Sequence, residues 1–216
     1  MDLYLIPNDP EDTVLVSANG VVHYQVQTIK FKKKSNITVI SRPSGSEDSV
    51  VAEIEWKHSD STAIIRSPLF SGDGQRVGTK GIGVPVFKYL YKRHRYGRAR
   101  YFVGEDAQEY RWKMMRNIGC VLTPCDSGFE IASSKDMFIT DGPFAGERKR
   151  VLRIQPCALD IDLIVLTFII MERLRRKQDG DDVVEGACDE DPQGDGGGSG
   201  DDADTGAGSL GVDGEL

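Results

Sequence analysis

The sequence predicts a mainly β protein: a closed antiparallel barrel of about twelve strands around one central hydrophobic helix near the C-terminus. Three observations predict it. Up to Pro156 the chain reads as short alternating segments separated by turns, with no helices interleaved. Leu163–Met171 is then a nine-residue run broken only by Thr167 and apolar on every side. Finally, the chemistry changes abruptly after Lys177: residues 178–216 carry thirteen of the 34 acids and none of the 27 bases, leaving residues 1–177 with a net charge of +6. The expected organisation is a barrel over 1–177, its helix over 158–177, and an acidic tail over 178–216.

The strands follow in order. "DLYLIP" opens, then "DTVLVS", and Asn19-Gly20 marks a hairpin into "VVHYQVQTIKF", where Val22, Tyr24 and Val26 alternate with His23, Gln25 and Gln27. A period of two is the mark of a half-buried strand. "NITVISRP" and "VVAEIEWKH" come next; in the latter Ala52, Ile54 and Trp56 face one way and Glu53, Glu55 and Lys57 the other. After "TAIIRSP" a Gly-rich stretch intervenes, and "VPVFKYLYKRHR" reads equally as strand or short helix. Strand patterns resume with "RARYFVG", "QEYRWKMM", "IGCVLT", "GFEIAS", "DMFIT" and "RKRVLRIQP". Without βαβ alternation, these imply an antiparallel sandwich or barrel.

The apolar run decides between them. As a helix, nine residues cover about 14 Å, against about 30 Å of bilayer hydrocarbon. Asp160, Asp162, Glu172 and Arg173 bound it closely, so a spanning helix is disfavoured. Acids at its start and Arg173, Arg175, Arg176 and Lys177 at its end suit the helix macrodipole. A helix without a polar face must be enclosed on all sides, and the lumen of a wide barrel supplies that enclosure.

The Gly/Asp-rich tail contains no aromatic residue and cannot bury enough apolar area to offset its ordering entropy, so disorder is expected. Cys120, Cys125, Cys157 and Cys188 form no CxxC pair, and His23, His58 and His94 are scattered, which disfavours a zinc site. The opening "MDLYLIPNDPEDT" has no long apolar stretch. A reduced, cytoplasmic protein, peripheral to a membrane, is the expectation.

The segments "VAEIEW" (Val51–Trp56), "RYFVGEDAQEYRWK" (Arg100–Lys113) and "DLIVLTFIIMERLRR" (Asp162–Arg176) carry a family resemblance. An aromatic strand, a Gly-Glu-Asp turn and a Tyr-x-Trp precede a hydrophobic helix. Over residues 1–177 the chain resembles the tubby C-terminal-like barrel superfamily, which takes in tubby proteins, phospholipid scramblases and plant LURP-one-related proteins. It is most similar to a group of fungal proteins with a domain of unknown function placed there. The resemblance implies the closed barrel. The tubby branch binds phosphoinositides through basic surface residues, but none of those maps onto a position here. No acidic loop beside the helix matches the Ca²⁺-binding feature of the scramblase branch.

One stretch suggests binding chemistry. "FKYLYKRHRYGRARYF" (Phe87–Phe102) holds Lys88, Lys92, Arg93, Arg95, Arg98 and Arg100, with His94, six aromatics and no acid. Such a segment attracts anionic lipid headgroups at about 1 kcal/mol per basic residue near the surface. The same chemistry could grip nucleic-acid phosphates and stack bases, a reading placed behind the lipid one. The bland alternative is a solvated loop whose aromatics belong to the core. The acidic tail could screen the patch from polyanions. "SGDGQRVGTKGIG" lacks the Gly-Lys-Ser/Thr and the βαβ frame of a phosphate loop and reads as a surface loop. His58, Ser59 and Asp60 are adjacent and cannot converge as a triad. Cys120 and Cys157 read as buried small hydrophobes, and Trp56 and Trp112 as core or rim aromatics. The sequence therefore points to a non-enzymatic module with no cofactor, metal or transmembrane span, binding anionic phospholipid through Lys88–Arg100. The alternative is an adaptor that engages a protein partner.

Overall fold

Alternation of inward and outward side chains runs through twelve segments, and all twelve join one antiparallel sheet. The computed structural model describes residues 1–31, 35–43, 49–57, 63–70, 83–115 and 118–181. The strands are β1 (Asp2–Ile6), β2 (Thr13–Ser17), β3 (Val22–Ile29), β4 (Asn36–Ser41), β5 (Val50–Trp56), β6 (Ile64–Arg66), β7 (Val84–Pro85), β8 (Ala99–Val103), β9 (Glu109–Met115), β10 (Gly119–Pro124), β11 (Ala132–Phe138) and β12 (Arg148–Ile154). Two helices accompany them, α1 (Val86–Tyr89) and α2 (Ile161–Asp181).

The sheet order is β7-β6-β5-β4-β3-β2-β1-β12-β11-β10-β9-β8, so sequence neighbours pair throughout and β1 against β12 joins the two halves. There Leu3 sits opposite Leu152 and Tyr4 opposite Val151. The expected inward set is buried: Tyr24 and Val26 in β3, and Ala52, Ile54 and Trp56 in β5. Val22 is an exception. The β2–β3 register shifts between Leu15 and Val16, and Val22 turns outward. "GFEIAS" and "DMFIT", expected as two strands, form the single strand β11, which starts only at Ala132. Gly119 is required where β10 starts: its φ is +149°, and a Cβ there would lie 1.9 Å from the carbonyl oxygen of Ser134.

The strand pairing does not show the expected closure: β7 and β8 are the two sheet edges and are not bonded to each other. The reason is local. β7 is two residues long and ends at Pro85, which has no N–H to continue a ladder, and the chain turns into α1. Packing spans this edge instead. α1 contacts both β7 and β8. The rings of Phe70, Tyr89, Phe102 and Tyr110 form a row with centroid spacings of 4.5, 5.8 and 5.4 Å.

α2 begins at residue 161 and runs to 181, about three residues later at each end than expected. Asp160 Oδ1 accepts the backbone N–H of Asp162 at 2.7 Å and so serves as its N-cap. From Leu163 to Met171 no residue is more than 3% exposed, so the helix is enclosed on all sides, as its sequence requires. The eight apolar side chains of this run are each worth about 1.5–3 kcal/mol when fully buried. Thr167, the one polar residue among them, donates to the Leu163 carbonyl at 2.8 Å and accepts the indole N–H of Trp112 at 3.0 Å. That leaves no unpaired group in the middle of the core.

Charged clusters hold both ends of the run. Near the start, buried Asp162 accepts from the Tyr24 hydroxyl at 2.7 Å and from both Nε and Nη2 of Arg42. Burial first, and then the bond to Asp162, push the Tyr24 hydroxyl far above its ordinary pKa. Near the other end, Glu172 is wholly buried. It receives Arg175 through two bonds of 3.0 and 2.8 Å and Arg176 Nε at 3.1 Å, with Arg150 Nε 3.6 Å away. Burial raises the Glu172 carboxyl, but the Arg175 bonds and the charges of Arg150 and Arg175 outweigh it, and the net shift is downward. Arg173 lies 4.1 Å over the Trp56 ring and pairs with Glu11.

Two outcomes follow from this packing. Ile164→Asp places an unpaired charge in the enclosed run and is expected to cost more than about 4 kcal/mol, read as loss of the folded baseline in urea denaturation. Glu172→Gln removes the buried charge that Arg150 and Arg175 share; because Arg150 keeps Asp136 and Arg175 keeps Asp179, the expected cost near neutral pH is about 1–3 kcal/mol. Because the folded carboxyl titrates below its unfolded value, its contribution is present above the unfolded pKa and is lost as pH falls through the folded one. The gap in stability between wild type and Glu172→Gln should therefore narrow in acid, as measured by urea midpoints across pH.

Candidate basic surface

The six basic residues singled out in the sequence lie between β7 and β8, on α1 and the hairpin that follows. Val86 and Leu90, four residues apart, are buried on one side of α1, which leaves Phe87 and Lys88 outward. Tyr91 and Tyr101 then exchange both backbone hydrogen bonds, each 2.9 Å, and their rings stack at 6.0 Å. Residues 92–98 project from that pair as a loop, with a turn in which Gly97 N–H donates to the His94 carbonyl at 3.3 Å, and Ala99 and Arg100 already belong to β8. Tyr96, beside this turn, is 81% exposed.

The basic side chains divide into two sets. Lys88, Lys92, Arg93 and Arg95 are exposed. Arg98 and Arg100, on the returning leg, are half-buried. Burial lowers the Arg100 pKa, while burial and then the Arg100 charge lower that of Lys92. Lys92 Nζ donates to the Arg95 carbonyl at 3.3 Å, and the Arg95 guanidinium lies 5.8 Å from the Tyr96 ring.

An acid that the local sequence does not contain organises this loop. Glu109, from β9, accepts the Tyr91 hydroxyl and pairs with Arg93, whose guanidinium also lies 4.5 Å over the Tyr101 ring. The Tyr91 bond, ahead of the Arg93 charge, holds the Glu109 carboxyl below its usual range, and the same bond pushes Tyr91 up to about 12. Arg93 is thereby committed in part to the loop's own structure. The aromatics divide as well. Phe102 is buried, Tyr89 packs against the core, Tyr91 and Tyr101 pair with each other, and only Phe87 and Tyr96 are exposed. Two of the six rings, Phe102 and Tyr89, thus belong to the core.

Elsewhere the structure offers little chemistry. His58, Ser59 and Asp60, most of the Gly-rich stretch before Gly83, Cys188 and nearly all of the acidic tail lie outside the described residues. Cys120 is buried, and burial drives its thiol pKa far up. Cys157, expected inside, is exposed, because it lies in the turn between β12 and α2 where no strand directs it inward. Cys125 is exposed, and burial of its sulfur together with the bond to Glu109 raises its thiol pKa, the reverse of activation. Trp56 and Trp112 are both core residues. A cleft of about 270 Å³ beside the end of α2 is lined by Asp9, Glu11, Arg173, Arg176 and Lys177, whose opposite charges largely answer one another. Among the described residues, no group of three or more His, Cys, Asp or Glu is placed to hold a metal ion. Among them, too, no helix is long and apolar enough to cross a membrane.

Comparison with known proteins places the chain by family. No curated protein matches it. An X-ray structure of a protein from Arabidopsis thaliana is similar at 12% identity over 81% of this chain and 91% of that one, with a TM-score of 0.35, too low to carry any argument. A family model matches residues 8–177, most of the chain, and the protein belongs to that family of unknown function, DUF6593.

Proposed function

We propose that this domain is a non-enzymatic module that binds anionic phospholipid headgroups through Lys88, Lys92, Arg93, Arg95, Arg98 and Arg100, as a tubby-like barrel built around α2. The observation that carries the lipid reading is the projecting loop 92–98, where exposed Lys92, Arg93 and Arg95 share a short segment with a tyrosine that is 81% exposed. In water the exposed ring meets the Arg95 guanidinium, 5.8 Å from its centroid, whereas at a bilayer interface the ring and the charges would both find further partners. Each basic residue near an anionic surface contributes about 1 kcal/mol, and the Tyr91–Tyr101 base leaves the loop little conformational freedom to lose on binding. The barrel reading is supported by the complete enclosure of α2 and by the aromatic row across the β7 and β8 edges.

The test is co-sedimentation of the full chain with phosphatidylcholine vesicles, with and without phosphatidylserine, at low and high salt. Binding is expected only with phosphatidylserine, and it should weaken as salt rises. The triple variant Lys88→Glu, Lys92→Glu, Arg95→Glu removes and reverses three charges and should lower binding at least about a hundredfold. Binding to an unstructured oligonucleotide but to neither vesicle would overturn the lipid reading. Absence of all three would leave the basic loop a solvated face and favour the protein-partner alternative.

A further inference from the structure

The basic loop is one part of a larger surface, and the strand directions show which. Because the sheet is antiparallel throughout, alternate connections fall at the same end. Ala99, where β8 starts, is paired with Lys113 near the end of β9. The β9–β10 turn therefore lies beside loop 92–98. The Ile118 carbonyl in that turn accepts Arg150 Nη1 at 2.8 Å, and Phe138, at the end of β11, is paired with Arg148, where β12 starts. Arg150 in turn lies 3.6 Å from Glu172, which places all three connections at the end of the sheet where α2 terminates.

Each of these three neighbouring connections carries a bare apolar or aromatic side chain. Tyr96 is 81% exposed, Ile118 49% and Phe138 66%. Basic residues stand among them: Lys92, Arg93 and Arg95 on the loop, and Arg148 opposite Phe138. The other end of the sheet also has exposed apolar side chains, including Phe129 and Ile161, but acids accompany them: Asp106, Asp126, Glu130 and Asp160. The β8–β9, β10–β11 and β12–α2 connections at that end carry acids and no base, whereas the described residues of the three connections where α2 terminates carry Lys92, Arg93, Arg95 and Arg98 against Asp141 and Glu147. Asp9, Glu11 and Asp12 of the β1–β2 connection also stand at the end where α2 terminates, so the complement to an anionic surface is confined to the β8–β12 side of it.

The geometry points to a seated orientation. The end of the sheet where α2 terminates rests on an anionic bilayer, with Tyr96, Ile118 and Phe138 entering the interfacial layer while the surrounding cations meet headgroups. This rests on the lipid reading above and deepens it: contact extends beyond Lys88–Arg100 to two further connections, and the opposite end faces the solvent. A cation patch alone would hold the protein by long-range attraction in any orientation, whereas three apolar tips at one end fix which residues go in.

The experiment separates this proposal from the reading it rests on. Tyr96→Asp, Ile118→Asp, Phe138→Asp and the opposite-end control Phe129→Asp all alter exposed side chains, and far-UV circular dichroism checks that each remains folded. On phosphatidylcholine–phosphatidylserine vesicles each of the first three is expected to lower binding about five- to tenfold, at high salt as well as low, and Phe129→Asp to leave it unchanged. In parallel, an environment-sensitive fluorophore is attached at Tyr96→Cys or Phe138→Cys, with exposed Cys125 and Cys157 replaced by Ser and residues 187–216, which include Cys188, retained with Cys188→Ser. It should shift to the blue on these vesicles, and the same label at Phe129→Cys should not. Wild-type binding that is unaffected by the three tip variants, with labels that stay in water, would overturn the seated orientation while leaving headgroup binding intact. Equal loss from Phe129→Asp would overturn it as well. Failure of the wild type to bind would remove the lipid reading itself, and this orientation with it.

Discussion

Leu163 to Met171 show no exposed face, and a helix of that kind can exist only where other elements supply a surface on every side of it. The rest of the molecule answers that requirement. A flat sheet could cover one side of α2. Twelve twisted strands, two of them edges held together by α1 and a row of four rings, reach Asp162, Thr167, Glu172 and Arg173 from β3, β9, β12 and β5. The buried apolar area of the helix outweighs anything that surface ion pairs contribute, since an exposed pair is worth about 0–1 kcal/mol.

Enclosure creates a second problem, because an apolar helix in apolar surroundings could slide along its axis or rotate without much penalty. The charged residues remove that freedom. Asp162 and Glu172 are ten residues apart, about 15 Å along the helix, and each meets guanidinium groups from the sheet or its own last turns. Displacing α2 by one residue would pull buried Asp162 from Tyr24 and Arg42 and Glu172 from Arg150, while Arg175 and Arg176 would move with the helix. Trp112 and Thr167 act in the same sense at the midpoint. The apolar run provides most of the stability, and these polar contacts select one position.

The basic loop is held in place by contacts from neighbouring elements. The cations around residues 92–100 would repel one another into an open, mobile segment if nothing restrained them. Glu109 takes Tyr91 and Arg93 together, the Tyr91–Tyr101 pair fastens the base, and Val86 and Leu90 tie α1 to the core. What projects is therefore a stiff loop with a cationic rim and one bare ring. Its place at the end of the sheet where α2 terminates brings it beside Ile118 and, one connection further, Phe138.

The sequence by itself determined the strands, the enclosed helix and the basic stretch. Period-two alternation, as in Ala52-Ile54-Trp56, and an apolar run with no polar face are local patterns that report burial directly. The helix ends were legible to within a few residues because Asp160 caps one of them. Sequence could not decide what depends on contacts between distant positions. Pro85 breaks the ladder at β7, so the strand pairing is open there, although twelve strands and an enclosed helix imply closure. Cys157 is exposed because a turn, not a strand, presents it. Glu109 enters a segment that contains no acid of its own because β9 runs beside β8. The gathering of Tyr96, Ile118 and Phe138 at one end is likewise invisible in a linear reading. Those residues are at least 20 positions apart, and only the antiparallel order of β8 to β12 brings their connections together.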